Sequence, residues 1–331
     1  MRTAICDQLN IDVPIIQAAM GGASCPALAA AVSNAGGLGM LALSWTPVDA
    51  IRNIVHETRA LTHRPFGVNL ALDQPQEERL SICLREGVPV ISFFWHDTAS
   101  LVEKAHAGGA KVLHTVGSAD EARRAVARGV DVIVAQGWEA GGHVWGQVAS
   151  LPLVPAVVDA AGSTPVVAAG GIADGRGLAA VLALGAAGAW IGTRFLASPE
   201  AAIHARYREL LLQAKETDTC YGVLFDRGWP DAPHRTLRNK TVKAWEAAGR
   251  PQSGQRPGEG DVIAKSAAQG DILRYQSAAP SADAAGDIEA MSLWAGQSVG
   301  LVSKLQPAAE IVKEIQTEAS AILKRLGAIS S

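Results

Sequence analysis

Residues that carry specialised chemistry are scarce in this chain of 331 residues. Its four cysteines, Cys6, Cys25, Cys83 and Cys220, stand far apart with no CxxC pair, so neither a zinc site nor a disulfide framework is indicated. No apolar run reaches the ~20 residues of a membrane span, because glycine and charged residues interrupt each one, and the N-terminus shows no charged-then-apolar leader. We therefore expect a cytoplasmic protein without a membrane partner.

Charge is also sparse and nearly balanced. A formal net charge of −3 gives no general attraction to nucleic acid, so no nucleic-acid partner is expected. With 48% hydrophobic and 18% charged residues, the chain can bury a substantial core. No G-x-G-x-x-G fingerprint follows the first strand-like segment, which argues against NAD or FAD held by a Rossmann turn.

Strand-like apolar segments, in contrast, recur along the chain. Eight of them, each followed by a stretch with helical periodicity, lie at residues 14–18, 38–42, 66–70, 89–94, 111–115, 131–135, 165–169 and 189–192. Their nearly continuous apolar character is what parallel strands buried on both faces require. A period of about 20 to 30 residues is typical of the βα unit, so the predicted fold is an α/β (β/α)8 TIM barrel over residues 1–214.

The composition changes after this barrel. Glycine, proline and charged residues dominate residues 215–287, yet the segment holds more aromatic residues than a solvated linker carries. We expect an ordered cap over the C-terminal face of the strands and not a disordered linker. Residues 288–331 become helical again and are expected to pack back on the barrel. Their apolar positions at helical spacing are Ile311, Ile315, Ala319, Ile322 and Leu326.

One histidine lies on a glycine-rich loop after the sixth strand. Residues 135–143, with the sequence AQGWEAGGH, deliver His143 there. Glycine lets the backbone approach a flat ligand, and an imidazole that titrates near neutral pH can remove a proton from a weak carbon acid. The alternative from these residues alone is a flexible loop with a solvated histidine.

Glycine-rich turns also follow the seventh and eighth strands. The first contains Gly170 and Gly171, and the second contains Gly192 and Thr193. The corresponding loops of many (β/α)8 enzymes bind a phosphate through backbone N–H groups. Each turn alone is equally a tight βα connection, but the two together favour a site for one phosphate group.

These motifs resemble those of the nitronate monooxygenase family, formerly called 2-nitropropane dioxygenases, which are FMN-dependent TIM-barrel enzymes. The resemblance runs nearly end to end, through residues 14–22, 66–70, 135–143, 169–175, 192–197 and 294–297. The motifs specify the superfamily better than the reaction. FMN-dependent enoyl-thioester reductases and NAD(P)H:quinone reductases share most of them.

The resemblance implies a flavin site with His143 as the catalytic base and no metal. Residues at the end of the first strand would lie against the isoalloxazine, two side-chain amides would hydrogen-bond the ring or the ribityl chain, loop glycines would close on the cofactor, and the last two turns would hold the phosphate. In that order, the implied residues are Ala18, Ala19 and Met20; Asn69 and Gln136; Gly141 and Gly142; and Ala169, Gly170, Gly171, Trp190, Ile191, Gly192 and Thr193. Gln297 is a weaker candidate, because Ala-Gly-Gln also fits a helix start.

The implied reaction is oxidation of alkyl nitronates, and of nitroalkanes once the α-proton is removed, by O2 to a carbonyl compound and nitrite. The alternative is an FMN-dependent NAD(P)H reductase of an enoyl thioester or a quinone. Thr115 stands where some quinone reductases carry a lysine, which disfavours a quinone. An IMP dehydrogenase would need a cysteine after the sixth strand, and none lies between Cys83 and Cys220. A flavin-binding module without activity and a homodimeric assembly both stay open.

Two tryptophans distinguish the histidine loop from that of many relatives, which have smaller side chains there. Trp138 and Trp145 flank His143 in sequence. They predict either a narrower, more aromatic substrate pocket or indoles that pack on the cap.

Overall fold

Eight parallel strands form the centre of the computed structural model, which describes residues 1–98 and 100–328. All eight coincide with predicted segments. They are β1 (Ile15–Gln17), β2 (Gly39–Ala42), β3 (Phe66–Ala71), β4 (Val90–Phe94), β5 (Lys111–Val116) and β6 (Val132–Gln136), then, after a two-residue β7 (Gly142–His143) that lies outside this sheet, β8 (Val166–Ala169) and β9 (Gly188–Ile191).

The order around the sheet is β1-β9-β8-β6-β5-β4-β3-β2. Leu38 N–H donates to the Ile15 carbonyl at 3.0 Å, and Gln17 N–H donates to the Leu38 carbonyl at 2.9 Å, which joins the two ends of the sheet. The predicted TIM barrel is confirmed.

Alternation along the strands creates an inner and an outer apolar layer. Ile16 and Met40 pack inside the barrel, in one cluster with Ile5 of α1 (Ala4–Gln8). Ile15 and Leu41, their neighbours in sequence, pack in the cluster that the barrel shares with the surrounding helices. Both faces of the strands are therefore buried, which is why the strands read as continuous apolar runs.

Helices occupy the connections between the strands. The Ser118 hydroxyl accepts from Glu121 N–H at the start of one of them, and the Asp174 carboxylate accepts from Arg176 and Gly177 N–H at the start of another, as N-caps do. These helices are α2 (Pro26–Asn34), α3 (Val48–Leu61), α4 (Glu77–Arg85), α5 (Leu101–Ala107), α6 (Ala119–Ala127), α7 (Ser150–Ala161), α8 (Gly175–Ala183), α9 (Thr193–Leu196) and α10 (Ala205–Gln213).

Residues 215–287 form two small antiparallel sheets and one helix. In one sheet, β11 (His234–Leu237) pairs with β10 (Thr219–Gly222) and with β7. In the other, β12 (Val262–Ser266) pairs with β13 (Gly270–Leu273) and β14 (Ala285–Gly286), and α11 (Lys240–Ala247) lies between the two sheets in sequence. A 3-10 turn at Glu216–Asp218 precedes them. The segment is thus tied by hydrogen bonds to the histidine loop of the barrel.

The C-terminal part returns to the barrel wall. After 3-10 turns at Ile288–Ala290 and Gln297–Leu301, helix α12 (Ala308–Gly327) packs on α8, where Gly175 N–H donates to the Glu318 carboxylate at 2.8 Å. Ile311, Ile315 and Ala319 are buried, whereas Leu326 is 48% exposed and does not pack as expected. Residues 329–331 of this predicted segment lie outside the described residues. Within residues 1–98 and 100–328, no helix has the length and apolarity needed to cross a membrane.

Candidate active site

A cavity of about 620 Å³ opens at the carboxyl ends of the barrel strands. This is the face where (β/α)8 enzymes carry their active sites, and the volume lies in the usual range for small-molecule ligands. Every residue predicted for the site lines the cavity except Ile191. The lining residues among the predictions are Ala18, Ala19, Met20, Asn69, Gln136, Gly141, Gly142, His143, Ala169, Gly170, Gly171, Trp190, Gly192 and Thr193.

The side chain of Ile191 does not line the cavity, so any contact of this residue with a phosphate would come from its backbone. Successive side chains of β9 point to opposite faces, so Trp190 faces the cavity while Ile191 packs, 1% exposed, against the outer helices. The Ile191 carbonyl accepts from Ala18 N–H at 2.8 Å and holds the neighbouring strand end in place.

The turn after β8 accepts only glycine. Gly170 and Gly171 have φ angles of +91° and +75°, and a Cβ on Gly170 would lie 2.9 Å from the Gly137 carbonyl oxygen. Across the cavity wall, the Thr193 hydroxyl accepts from Gly296 N–H at 3.0 Å, which leaves its own proton for a ligand. Small turns with hydroxyl and backbone donors suit a phosphate monoester, so these residues fit the phosphate end of FMN.

The two amide side chains have partners of their own. Asn69 Nδ2 lies 3.3 Å from the Ser92 carbonyl oxygen and 3.2 Å from its hydroxyl. Gln136 donates from Nε2 to the His143 carbonyl at 3.1 Å and accepts at Oε1 from Trp145 N–H at 2.8 Å. Gln136 therefore fixes the histidine loop on both sides of Val144, a role that its position at the strand end alone does not reveal.

His143 is held in a pocket of aromatic rings. In the β7–β11 pair His143 lies opposite His234, and its imidazole lies 4.0 Å from the Trp229 ring, centroid to centroid, with 33° between the planes. Trp294 and Trp95 follow at 5.4 and 6.1 Å. His143 Nε2 is buried without a hydrogen-bond partner. Because His143 also lines the cavity, this nitrogen is available to a ligand bound there.

The expectation that His143 titrates near neutral pH is wrong for the free protein. Burial, and secondarily the neighbouring His234, lowers the pKa of His143 to about 3, so the imidazole is uncharged at neutral pH. Burial also lowers the pKa of His234 to about 4. His234 Nε2 accepts from Phe225 N–H at 3.1 Å, which assigns its proton to Nδ1, within 2.9 Å of the Ala232 carbonyl. His234 is thus fully used in structure, and His143 alone has a free nitrogen.

Trp138 and Trp145 do not line the cavity. The Trp138 ring packs 5.1 Å from Tyr221 under the Arg235 guanidinium, both in residues 215–287, whereas Trp145 donates to the Glu121 carboxylate at 2.8 Å. The cavity tryptophans are Trp45, Trp190, Trp229 and Trp294. Trp294 lies in the Trp-Ala-Gly-Gln motif and could have been found there.

Two residues of the aromatic wall have a strained backbone conformation. Trp95 and His96, directly after β4, have φ angles of +72° and +49°, which side chains of this size rarely adopt. The turn wedges the Trp95 ring between Trp145 and Trp229 at 4.8 and 5.0 Å. Gln297 begins a 3-10 turn with Gly296 as its N-cap, so it follows the helix-start interpretation.

No cluster of three or more histidine, cysteine, aspartate or glutamate side chains able to hold a metal occurs in the part of the chain that the structure describes. The site is instead an apolar cavity at the mouth of a barrel, with glycine turns on one side and an uncharged histidine on the other. Such a site defines the class of (β/α)8 enzymes that bind a flat organic ligand.

Comparison with known proteins identifies the family within this class. The family model for nitronate monooxygenase matches residues 2–80 and 76–318, so the chain belongs to the nitronate monooxygenase family, whose members are FMN-dependent oxidoreductases. The resemblance inferred from the motifs is confirmed, and the protein is an enzyme of this oxidoreductase type.

Individual relatives differ in the substrates that their names state. The chain is 32% identical to nitronate monooxygenase of Paraburkholderia phytofirmans, over 98% of this chain and 97% of the relative. It is 38% identical, over 76% of this chain and 70% of the relative, to (3aS,4S,5R,7aS)-5-hydroxy-7a-methyl-1-oxo-octahydro-1H-indene-4-carboxyl-CoA dehydrogenase of Mycobacterium tuberculosis.

Two solved structures cover the whole fold. FabK from Thermotoga maritima superposes with a TM-score of 0.86 at 33% identity, covering 99% of both chains. Nitroalkane oxidase from Streptomyces ansochromogenes superposes with a TM-score of 0.79 at 31% identity, covering 98% of this chain and 100% of the other.

Proposed function

We propose that this protein binds FMN in the barrel cavity and oxidises alkyl nitronates with O2 to a carbonyl compound and nitrite. The observation that carries the proposal is His143, an uncharged imidazole with a free, buried nitrogen in the cavity wall. Membership of the family and the similarity to a nitroalkane oxidase support the choice of substrate. When bound, FMN supplies the electron transfer that no side chain of the cavity offers.

The flavin site would use opposite sides of the barrel mouth. Gly171 and Gly192 would hold the phosphate, with the Thr193 hydroxyl as an added donor. The apolar strand end at Ala18 to Met20 would lie against the ring system. Residues 215–287 would act as a cap over residues 1–214, since Trp229 reaches from this segment to the His143 imidazole. The aromatic cover would exclude water from the reacting atoms.

We assign His143 the role of base toward neutral nitroalkanes. An uncharged imidazole is ready to accept the α-proton, and it needs no prior deprotonation anywhere above about pH 3. A preformed nitronate has already lost this proton and would only need to be positioned. The proposed base is therefore essential for one form of the substrate and dispensable for the other.

Anaerobic mixing tests the proposal directly. The purified protein should be yellow, release FMN on heating, and lose its visible absorbance within a mixing time when ethyl nitronate is added without oxygen. NADPH should leave the absorbance unchanged. A protein that takes up no FMN would refute the cofactor assignment.

One relative favours a second candidate, an FMN-dependent NAD(P)H reductase of an enoyl thioester or a quinone. The 38% identical Mycobacterium tuberculosis protein is named as the dehydrogenase of a carboxyl-CoA compound, so its name supports a thioester substrate and leaves the direction of electron transfer to the experiment. In this case NADPH, and not ethyl nitronate, would bleach the protein in the same experiment.

A further inference from the structure

The wall of the cavity carries almost no charge. Of the described residues that line it, Arg227 alone is charged at neutral pH, since the pKa of His143 is lowered to about 3 and burial raises the pKa of the Tyr207 hydroxyl. No aspartate, glutamate or lysine contributes to the lining. A single cation in an otherwise uncharged wall gives the cavity a preference for anionic ligands.

Arg227 has no counter-ion in the protein. Its guanidinium makes no ion pair or hydrogen bond in residues 1–98 and 100–328. The adjacent carboxylate, Asp226, is occupied by Arg256, which lies 3.0 Å away, is itself buried, and stacks over the Tyr275 ring at 4.2 Å. Arg256 therefore neutralises the charge of Asp226, and the positive charge of Arg227 has no counter-ion among the described residues.

The backbone of Arg227 is fixed. Its N–H donates to the Tyr275 carbonyl at 3.1 Å, and its carbonyl accepts from Ser277 N–H at 2.9 Å. Gln276, which pairs with Arg227 in this bridge, accepts at Oε1 from Leu273 N–H at 2.9 Å, and its NH2 group has no partner in the described part of the chain. Gln276, Ser277 and Gln269 also line the cavity. The cavity wall therefore offers further hydrogen-bond donors besides Arg227.

Two contacts place Arg227 at the mouth of the cavity. Trp229 follows two residues after Arg227, at most about 7 Å of extended chain. Its ring contacts Trp45 after β2 and Trp95 after β4, each at 5.0 Å, and His143 after β6 at 4.0 Å. On the other side, Ala279, two residues after Ser277, lies 3.7 Å from the position of a Cβ on Gly22, after β1. Arg227 therefore lies between the loop after β1 and the Trp229 ring that contacts His143.

We propose that Arg227 is a specificity-determining residue that binds a carboxylate or phosphate carried by the substrate, at the end remote from the reacting carbon. The Nε2 atom of His143 is buried and its imidazole is uncharged, whereas Arg227 is exposed at the rim, so the reacting end enters and the anionic tail stays at the mouth. Guanidinium binds both anions in a bidentate manner. This inference rests on the proposed function for the nature of the reacting end.

Substrates that differ only in the terminal group isolate the effect of the anionic tail on kcat/KM. The FMN-loaded enzyme would be assayed with the nitronates of 1-nitrobutane, 4-nitrobutanoate and 4-nitrobutyl phosphate, which share a four-carbon chain. We expect kcat/KM to favour at least one anionic substrate. Arg227→Gln should lower kcat/KM for it by about 5- to 30-fold, and change the value for 1-nitrobutane less than twofold. The anionic substrate with the higher kcat/KM shows whether the site binds a carboxylate or a phosphate.

Two variants serve as controls. Arg227→Lys keeps the positive charge but cannot bind an anion in a bidentate manner, so it should retain part of the preference for anionic substrates. Lys243→Gln removes a charge from an exposed position of the same segment, away from the cavity, and should change nothing. Added salt should weaken the preference of the unmodified enzyme and leave Arg227→Gln unaffected.

A binding measurement separates this inference from the proposed function. Nitro compounds quench tryptophan, and Trp45 and Trp229 line the cavity, so quenching by the three parent nitroalkanes reports affinity. The measurement is made with and without Arg227→Gln in the His143→Asn background, which lacks the proposed base and does not turn these neutral compounds over. If none of the three nitronates is oxidised but Arg227→Gln still weakens binding of an anionic compound, the proposed function fails and the anion site stands. Equal affinity of the unmodified protein for all three compounds, or loss of FMN from Arg227→Gln, would overturn the inference.

Discussion

Histidines held without charge should make this protein sensitive to mild acid. Burial lowers the pKa of His114, and it also lowers the pKa values of His143 and His234. His143 and His234 have pKa values of about 3 and about 4 in the folded protein, against 6.5 for an exposed histidine. Because the folded values are the lower ones, the protein takes up these protons only when it unfolds. The stability they contribute is complete above about pH 6.5 and falls as the pH drops through 6.5 toward the folded values.

The magnitude follows from the pKa of the unfolded chain. At pH 5, the solution is about 1.5 pH units below the pKa of 6.5 of an unfolded histidine, which is therefore protonated. Each pH unit corresponds to about 1.4 kcal/mol of unfolding free energy. His143 and His234 should therefore each lower the free energy of unfolding by about 2 kcal/mol between pH 7 and pH 5, or about 4 kcal/mol together. Both folded values lie below pH 5, so neither affects the result much.

Urea denaturation at pH 7, 6 and 5, followed by tryptophan fluorescence, measures this effect. His143→Asn should lose about 2 kcal/mol of the difference in unfolding free energy between pH 7 and pH 5, whatever it does to stability at pH 7. His63→Asn, which replaces an exposed histidine, should keep the full difference. The same acid sensitivity in His143→Asn and in the unmodified protein would refute the buried, uncharged imidazole.

Three further predictions concern the cavity. His143→Asn should lower activity on nitroethane by about 10²- to 10⁴-fold and activity on ethyl nitronate much less, as measured by nitrite release at matched FMN content; equal losses would exclude the base. Gly171→Ala should weaken FMN retention by about tenfold or more on dialysis, whereas Gly109→Ala, with a similar φ of +81° and open space around its Cβ, should lose stability of about 1 kcal/mol but keep FMN. Trp229→Ala should raise the pKa of His143 by at least about one unit, seen in its NMR titration, because removing the ring admits water; an unchanged titration would show that Trp229 does not cause the burial.

The barrel could be predicted from the sequence because each strand is a local pattern. A run such as residues 132–135 is apolar at every position, and only a strand covered on both faces needs that. The glycine turns were equally visible, since the φ of +75° at Gly171 is a requirement that a single residue type meets. Alternation along a strand turns every second side chain away, which is why Trp190 lines the cavity and Ile191 does not.

The environment of His143 could not be predicted in this way. It depends on β7, a strand of only two residues, and on its partner β11, which begins at His234, far along the chain. A glycine-rich loop considered alone suggests that its histidine is exposed to solvent. Pairing with β11 and contact with Trp229 replace that solvent by aromatic rings, and neither event leaves a local pattern.

Burial has a consequence for the strength of the proposed base. An imidazole with a pKa of about 3 is available at every physiological pH but holds a proton weakly. Removing the α-proton of a nitroalkane creates a nitronate anion beside the new imidazolium, and in a cavity with little other charge their attraction is strong. The ligand thereby raises the pKa of His143 when the proton is transferred. With the charge of Arg227 at the rim, such a site favours anions that form or arrive inside it, and disfavours a proton on His143 before they do.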